Sequence, residues 1–392
     1  MVADAGRDAD SLTESTEPES SVPESATTAT NAPVGTVLIV GAGLLGASIG
    51  LGLRNLGVDT WLRDASPTAE AVGEDIGAGL SERAWPGQMG DPQLVVVATP
   101  PDVTVDLVAA ALREFPHAVV TDVASVKGAV LRGLEEAGAD LARYVGSHPM
   151  AGREKSGPVA ARGELFTSMP WVLCSAEQTA PSTRRLVKAL AVELGATVTE
   201  MSAQEHDDTV ALISHLPQVM SSLLASRLQD TALHHLALAG QGLRDTTRIA
   251  GSDPGLWVQI LSANASSLVP ALHGVREDLE RLITTLEAPT APGARLDVAQ
   301  LIAEGNAGQA RIPGKHGGAP KAFAQLTVLV DDIPGTIAHL LTFIGEIGIN
   351  LEDLRLDHSP GQPVGLAEVS VEPNRRDELV EALTANGWKV VQ

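Results

Sequence analysis

The chain holds a single cysteine, Cys174, among 392 residues. That excludes an intramolecular disulfide framework and a cysteine-based metal cluster, and it suits a reducing cytoplasm. The thiol lies in the apolar run Trp171-Val172-Leu173-Cys174, which reads as buried structure in preference to a nucleophile. Positive charge is also short, with 27 Lys and Arg against 49 Asp and Glu and a net charge of −22. A field of that sign repels phosphates, so nucleic acid and anionic membrane are excluded as partners held by bulk charge. An anionic substrate then needs local Arg or Lys. Long apolar runs are missing as well. The best window, 36–53, is broken by Gly41, Gly43, Gly46, Gly50 and Gly52, which suits a strand, a loop and a helix better than a membrane span. The first residues are acidic and polar where a signal peptide needs a basic segment and an apolar core, so secretion is not expected.

What remains is an ordinary globular composition, 44% hydrophobic and 19% charged, long enough for two or three cores. Residues 1–33 are rich in Ser, Thr, Glu, Asp, Ala and Pro and read as a disordered acidic tail. From Val34 to residue 201, short β-branched runs at 37–40, 94–97 and 118–121 alternate with helical stretches. That order predicts a Rossmann-type α/β domain with a parallel sheet. Strand patterns stop after 196–199. Residues 202–290 then read as an all-α domain with long helices from 203 to 286, followed by a linker over 291–321. Residues 322–392 form a third unit, a small α+β domain of order βαββαβ: strands at 326–330, 351–357, 366–371 and 388–391, helices at 334–347 and 375–386.

Gly41-Ala42-Gly43-Leu44-Leu45-Gly46 follows the first strand directly and opens a helix. The glycines allow a tight turn and close approach of backbone N–H groups to a pyrophosphate at a helix N-terminus, so Gly41, Gly43, Leu44, Leu45 and Gly46 are expected to hold a dinucleotide. The second strand ends at Arg63-Asp64, where a carboxylate accepts from the adenosine ribose 2′-hydroxyl. Asp64 favours NAD; Arg63 leaves NADP open, since a guanidinium there can pair with a 2′-phosphate, and a solvated strand-end arginine is the plainer alternative. Thr99 and Pro100 end the 94–97 strand at the same sheet edge and are candidates for cofactor contact or for ordinary turn chemistry.

Two further loops fall at that edge, one carrying Ser125 and one carrying His148 in Gly-Ser-His-Pro. A histidine facing a nicotinamide crevice can take a proton as hydride leaves. On the helical run, Asp207, Ser214 and Gln218 are spaced seven and four apart and share one face, with His215 three before Gln218; a polar interface stripe is the alternative. Pro217 is expected to kink that helix. Arg244, Asp245 and Arg248 follow a Gly-rich turn, and Ser252-Asp253-Pro254 reads as a helix start. Arg248 either pairs with Asp245 at helical spacing or offers a fork donor to an anion.

Five ordered motifs, GAGLLG, DVASVK, GSHPMAGREKSG, ISHLPQ and RDTTRIAGSDPGLW, resemble the prephenate/arogenate dehydrogenases of tyrosine biosynthesis from Val34 to about Leu286. The resemblance implies that His148 accepts the proton of the substrate's ring hydroxyl with Ser125 helping to orient it. It also implies that Glu154 gates the site with Lys155 and Ser156 nearby. Arg248 would bind a substrate carboxylate, supported by Asp245, Ser252 and Trp257. The implied reaction is oxidation and decarboxylation of prephenate to 4-hydroxyphenylpyruvate with NAD+. One position departs from the family pattern, since Gln218 stands where a second histidine is common. A neutral amide offers no charge to an ammonium, which mildly favours prephenate, a keto acid, over arogenate, an amino acid.

The third unit resembles an ACT domain, an amino-acid-binding module that usually pairs. Its effector position falls at Asp332, Pro334 and Gly335 after the first strand and at Asn350 before the next, with an aromatic amino acid, tyrosine or phenylalanine, as the implied effector. A ligand-free dimerisation module is the alternative. Leu and Ala on more than one face of the helical domain, as at Leu223, Leu224 and 233–238, predict a homodimer. Two rival readings remain open. A β-hydroxyacid dehydrogenase needs a lysine base on its helical domain, and none of the six lysines lies within 203–286. A silent NAD-binding amino-acid sensor would not need Ser125, His148 and Arg248 together.

Overall fold

The computed structural model describes residues 35–152, 157–313, 323–358 and 363–391. The first domain runs β1 (Val37–Val40), α1 (Leu44–Asn55), β2 (Thr60–Arg63), α2 (Pro67–Asp75), β3 (Leu80–Ser81), β4 (Leu94–Val97), α3 (Pro101–Glu114), β5 (Val119–Asp122), α4 (Gly128–Glu136), β6 (Tyr144–Pro149), β7 (Pro170–Ser175), α5 (Pro181–Glu193) and β8 (Thr197–Glu200). Eight strands lie in the order β3-β2-β1-β4-β5-β6-β7-β8. β1 and β4 are buried at every residue, as expected of strands covered on both faces. Helices α1 and α5 supply Ile49, Leu53, Val187 and Leu190 to the core on one face. Helices α3 and α4 supply Val108, Leu112, Val130 and Leu134 to the other.

The expected parallel sheet is parallel except at one pair. β7 runs antiparallel to β6, with Pro149 opposite Trp171. Among the described residues the connection between them holds a 3-10 turn (Pro158–Ala160) and no α-helix, and the chain re-enters the sheet from the edge at which it left and reverses direction. Cys174 lies on β7 and is buried. Burial pushes its thiol up to about 12, which leaves it protonated and inert at neutral pH.

The second domain is more broken than its periodicity predicts. It comprises α6 (Ala203–Val210), a π-helical turn (Ala211–His215), α7 (Leu216–Ser226), α8 (Leu233–Leu236), α9 (Gln241–Thr247), a 3-10 turn (Arg248–Gly251), α10 (Pro254–Ala263) and α11 (Ala265–Glu287). Pro217 sits in the first turn of α7, where its missing N–H is tolerated, and the expected kink takes the form of the π turn just before it. Ile260 of α10 is buried in the α3/α4 core of the first domain, with Trp257 packed against it. Leu212, Ile213, Leu223, Leu233 and Leu238 are exposed. Among the described residues no helix is long and apolar enough to cross a membrane.

Residues 291–321, expected as a linker, contain a helix, α12 (Ala294–Gln309). Gly293 starts it in the left-handed conformation, φ 93°, a turn that glycine adopts without strain and that sequence periodicity does not register. The third unit follows as β9 (Ala324–Asp331), α13 (Thr336–Glu346), β10 (Asp353–His358), β11 (Val364–Val371), α14 (Arg376–Ala385) and β12 (Lys389–Val391), an antiparallel sheet in the order β10-β11-β9-β12. Leu340, Ile344, Leu379 and Leu383 close its core over Val328, Ala367 and Val369.

The glycine loop is closely packed at Gly41 and Gly46. A Cβ built on Gly46 would lie 1.9 Å from the carbonyl oxygen of Gly41, a backbone atom that cannot yield. Gly46→Ala should therefore cost about 1–3 kcal/mol, as overpacking does. A thermal melt that places the variant at the wild-type melting temperature would refute the packing.

Candidate active site

The nucleotide end is built from backbone. Gly41 takes φ 103° and passes under Ala98, whose carbonyl oxygen would lie 2.4 Å from a Cβ there. Gly43 is the N-cap of α1, makes no side-chain cap, and has open space where a Cβ would stand. Close packing on one side and open space at a helix N-terminus on the other fit a pyrophosphate. Leu44 and Leu45 form the half-buried first turn. Asp64 ties the loop in place: one carboxylate oxygen accepts from Ala42 N at 2.7 Å and the other from Ser66 N at 2.7 Å. Pro100 is the N-cap residue of α3, and Thr104 inside that helix donates its hydroxyl to Pro100 O at 2.9 Å and lies 3.3 Å from the Thr99 hydroxyl. Arg63 is committed elsewhere, to Glu82 and Glu114.

Beneath the sheet edge that carries Ser125 and His148 lies a buried polar network. Lys127 pairs with Asp122 and donates to Ser147 O at 2.7 Å. Tyr144 donates to Asp122 Oδ2 at 2.6 Å, and Ser147 Oγ donates to Asp122 O at 2.7 Å. These bonds tie β5 to β6 and so fix the loop that carries Ser125 and the strand end that carries His148. Ser125 is half-buried in the β5–α4 loop. His148, next to last in β6, is 9% exposed.

A residue that sequence reasoning passed over completes the arrangement. His206 Nε2 lies 2.9 Å from His148 Nδ1, and His206 Nδ1 lies 2.8 Å from Asp207 Oδ1. The carboxylate accepts from His206 Nδ1, so in the neutral ring Nε2 carries a free pair. His148 must then donate from Nδ1, which leaves its own Nε2 unprotonated. The hydrogen-bond network thus assigns the tautomer that a proton acceptor requires. Burial, followed by the neighbouring His206, Lys127 and His215, holds the His148 imidazole well below its ordinary value, so the ring is neutral at physiological pH.

Asp207, expected on a substrate-facing stripe, is not free to meet a ligand. Besides His206 it accepts from Lys127 N at 2.9 Å and Gly128 N at 2.8 Å, at the start of α4. Burial alone would raise its carboxyl, but the bonds from His206, Lys127 and Gly128 outweigh it and hold the group below the usual range. The π turn explains why the stripe fails, because an extra residue per turn rotates the downstream helix relative to Asp207. Ser214 is half-buried and His215 is buried. Asn264, also passed over, donates to Asp207 O at 2.8 Å and lies 3.1 Å from His215 Nδ1. Burial pulls His215 down to about 4, so Nδ1 accepts and Nε2 keeps the proton.

His215 meets Trp257 edge to face, ring centroids 6.0 Å apart, and Ser252 Oγ lies 3.4 Å from Gln218 Oε1. The structure thus gathers His215, Gln218, Ser252 and Trp257. Asp245 faces solvent and accepts from Gln241 Nε2 at 2.7 Å, and Arg248 is exposed at the start of the 3-10 turn. Glu154, Lys155 and Ser156 lie outside the described residues. In the third unit Asp332, Pro334 and Gly335 form an exposed turn between β9 and α13, and Asn350 donates to Glu352 at 3.0 Å.

Comparison with known proteins identifies the family of the two larger domains. The nucleotide-binding domain of prephenate dehydrogenase matches residues 49–200, and the prephenate dehydrogenase dimerization domain matches residues 202–297. The Streptomyces niveus protein NovF, described as a probable prephenate dehydrogenase, is 34% identical over 362 residues, 90% of this chain and 98% of that one. The prephenate dehydrogenase of Bacillus subtilis is 28% identical over 371 residues, 88% and 96% of the two chains. Among solved structures, A. aeolicus prephenate dehydrogenase in complex with hydroxyphenyl propionate and NAD+ aligns with a TM-score of 0.60 at 26% identity, covering 69% of this chain and 97% of that one. Synechocystis arogenate dehydrogenase aligns with a TM-score of 0.56 at 27% identity, covering 69% and 99%.

The two neutral imidazoles set a pH dependence of stability. On unfolding, His148 and His215 return to the ordinary value of 6.5. Above it neither state binds the protons; below it the unfolded chain takes up protons that the folded rings refuse, so stability falls with pH until the folded rings themselves titrate. The melting temperature should hold from about pH 8 to 6.5 and drop from there towards about pH 4, with a shallower drop in His215→Asn. An identical acid slope in wild type and variant would remove His215 from the account.

Proposed function

The chain belongs to the prephenate dehydrogenase family, NAD-dependent oxidoreductases, and from that premise we propose that it oxidises and decarboxylates prephenate with His148 as the base. The observation that carries this reading is the run Asp207–His206–His148, which leaves Nε2 of His148 as an acceptor. NAD+, held at Gly41, Gly43, Gly46 and Asp64, would supply the hydride acceptor for the ring carbon that bears the hydroxyl. His148 accepts the hydroxyl proton at Nε2, and Ser125, from the adjacent loop, orients that hydroxyl. As the imidazole gains charge, its Nδ1–H bond to His206 strengthens and Asp207 balances the charge two groups away. Loss of the ring carboxylate as CO2 moves its electron pair through the ring to the oxygen, which takes the proton back from His148 to give 4-hydroxyphenylpyruvate; aromatisation drives the step, so positioning is the main demand on the protein.

Arg248 is assigned to a substrate carboxylate, with Gln218, Ser252, Ser214, His215 and Trp257 around the rest of the molecule. Gln218 offers an amide that pairs with a keto group and gives no charge to an ammonium, which favours prephenate over arogenate. The third unit is assigned as an ACT-type regulatory domain with its aromatic amino-acid effector at Asp332, Pro334, Gly335 and Asn350. The exposed leucines of the helical domain are assigned to a homodimer interface.

Steady-state kinetics test the assignments. His148→Asn should lower kcat by about 10²–10⁴ with little effect on KM, as expected for loss of a positioned base. His206→Asn should lower kcat less and shift the acid limb of kcat/KM, while Arg248→Gln should mainly raise KM. Turnover by His148→Asn near the wild-type rate would sink the base assignment. Comparing prephenate with arogenate by kcat/KM, with and without tyrosine, should give a preference for prephenate and inhibition by the amino acid. A preference for arogenate would remove Gln218 from substrate selection.

A further inference from the structure

The cation beside the ribose position is already spent. Arg63 ends β2 immediately before Asp64, where a guanidinium in other circumstances would meet a 2′-phosphate. Here its Nε and Nη2 donate to Glu82 at 2.5 and 2.8 Å. From the other side Nη1 and Nη2 donate to Glu114 at 2.8 and 2.7 Å. The two forks use four of the five N–H donors of the group. The guanidinium carbon also lies 5.6 Å from the centre of the Phe115 ring, which holds the plane in place. Bidentate pairing on two sides is far from the loose surface ion pair that thermal motion breaks. The second cation at this corner, Arg83, is more exposed and more lightly held, but it too is paired. Arg83 donates to Asp64 O at 3.0 Å and lies 3.5 Å from Glu70, whose side chain is almost wholly buried. Two arginines therefore stand among four carboxylates, Asp64, Glu70, Glu82 and Glu114.

We propose that Glu82 and Glu114 are specificity-determining residues that sequester Arg63 and so restrict the protein to the cofactor without a 2′-phosphate. A phosphate ester brings a charge of about −1.5 to −2 at neutral pH. At this corner it would meet Asp64 and a net negative surround, and it would have to break a two-sided fork to gain a counter-charge. The ribose hydroxyl of NAD(H) needs only the acceptor that Asp64 provides. The inference deepens the reading of Asp64 as the ribose acceptor and rests on it.

The test measures dissociation constants of NADH and NADPH by calorimetry on wild type, Glu82→Gln/Glu114→Gln, the same double variant with Arg63→Gln, and Asp64→Asn. Wild type should bind NADH at least about tenfold more tightly than NADPH, a difference of about 1.4 kcal/mol. The double variant should narrow that ratio about tenfold, mainly by gaining affinity for NADPH, and adding Arg63→Gln should reverse the gain. If the double variant does not fold, Glu114→Gln alone, at a more exposed position, should move the ratio in the same direction by a smaller factor. Wild type that binds the two cofactors equally, or a ratio that stays unchanged in folded variants, overturns the proposal. Asp64→Asn separates the two failures: unchanged NADH affinity there refutes the ribose assignment, whereas weakened affinity with an unmoved ratio in the double variant refutes the sequestration alone.

Discussion

One buried carboxylate joins the two larger domains and sets the state of the histidine proposed as the base. Asp207 belongs to α6, yet its oxygens accept from the backbone of Lys127 and Gly128 at the start of α4. It thereby supplies from another domain the partner that a helix N-terminus lacks in its own sequence, since α4 has no side-chain cap of its own. The third donor to the same carboxylate, His206, reaches His148. Domain docking and tautomer choice are thus one event. If the helical domain separates from the nucleotide domain, α4 loses its cap and His148 loses the acceptor that fixes its ring.

Both sides of this docking contact are held from below. On the nucleotide side, Asp122, Lys127, Tyr144 and Ser147 satisfy one another across β5 and β6. A buried lysine and aspartate are costly to desolvate, and here that cost is offset by bonds that reach backbone and phenol as well as each other. On the helical side, Asn264 fastens α6 to the junction of α10 and α11 and orders His215. The π turn between α6 and α7 makes this compatible with the rest of the helix, by letting Asp207 point to α4 while Gln218 points to Ser252.

Much of the nucleotide domain is legible in the sequence, because its information is local. A β-branched run, a glycine loop and a helix occupy adjacent positions, and Asp64 falls at a strand end that the periodicity marks. The reversal of β7 is not legible, since it depends on the course of the connection from β6 and not on any pattern within the strand. Residues 294–309 read as linker because the Pro- and Gly-rich flanks dominate, although the segment between them has no helix breaker except Gly305 and Gly308. In the site, His148, Ser125 and Gln218 stand in recognisable loops and spacings. His206 escapes such a reading because its partner lies 58 residues away, and the dipeptide His206-Asp207 gives no sign of which of the two faces the other domain. Asp207 falls on the substrate-facing side of an unbroken α-helix, and the π turn makes that face wrong.

The charge balance of the site follows from the same contacts. The chain is strongly acidic, yet an anionic substrate must be held in it. Burial keeps His148 and His215 neutral, and Lys127 is neutralised by Asp122. Of the carboxylates near the histidines, Asp122 and Asp207 are each bound by several donors, so their charge is spread into backbone and lysine instead of facing a ligand. In the proposed reading this leaves neutral donors and acceptors around the ring and Arg248 as the fork for a carboxylate. A neutral site suits the reaction better than a cationic one would. A strong positive field at the ring would hold the carboxylate that has to leave as CO2 and would oppose the protonation of His148. One arginine at the far end of the substrate, combined with a neutral base whose charge is balanced only after it takes the proton, avoids both difficulties.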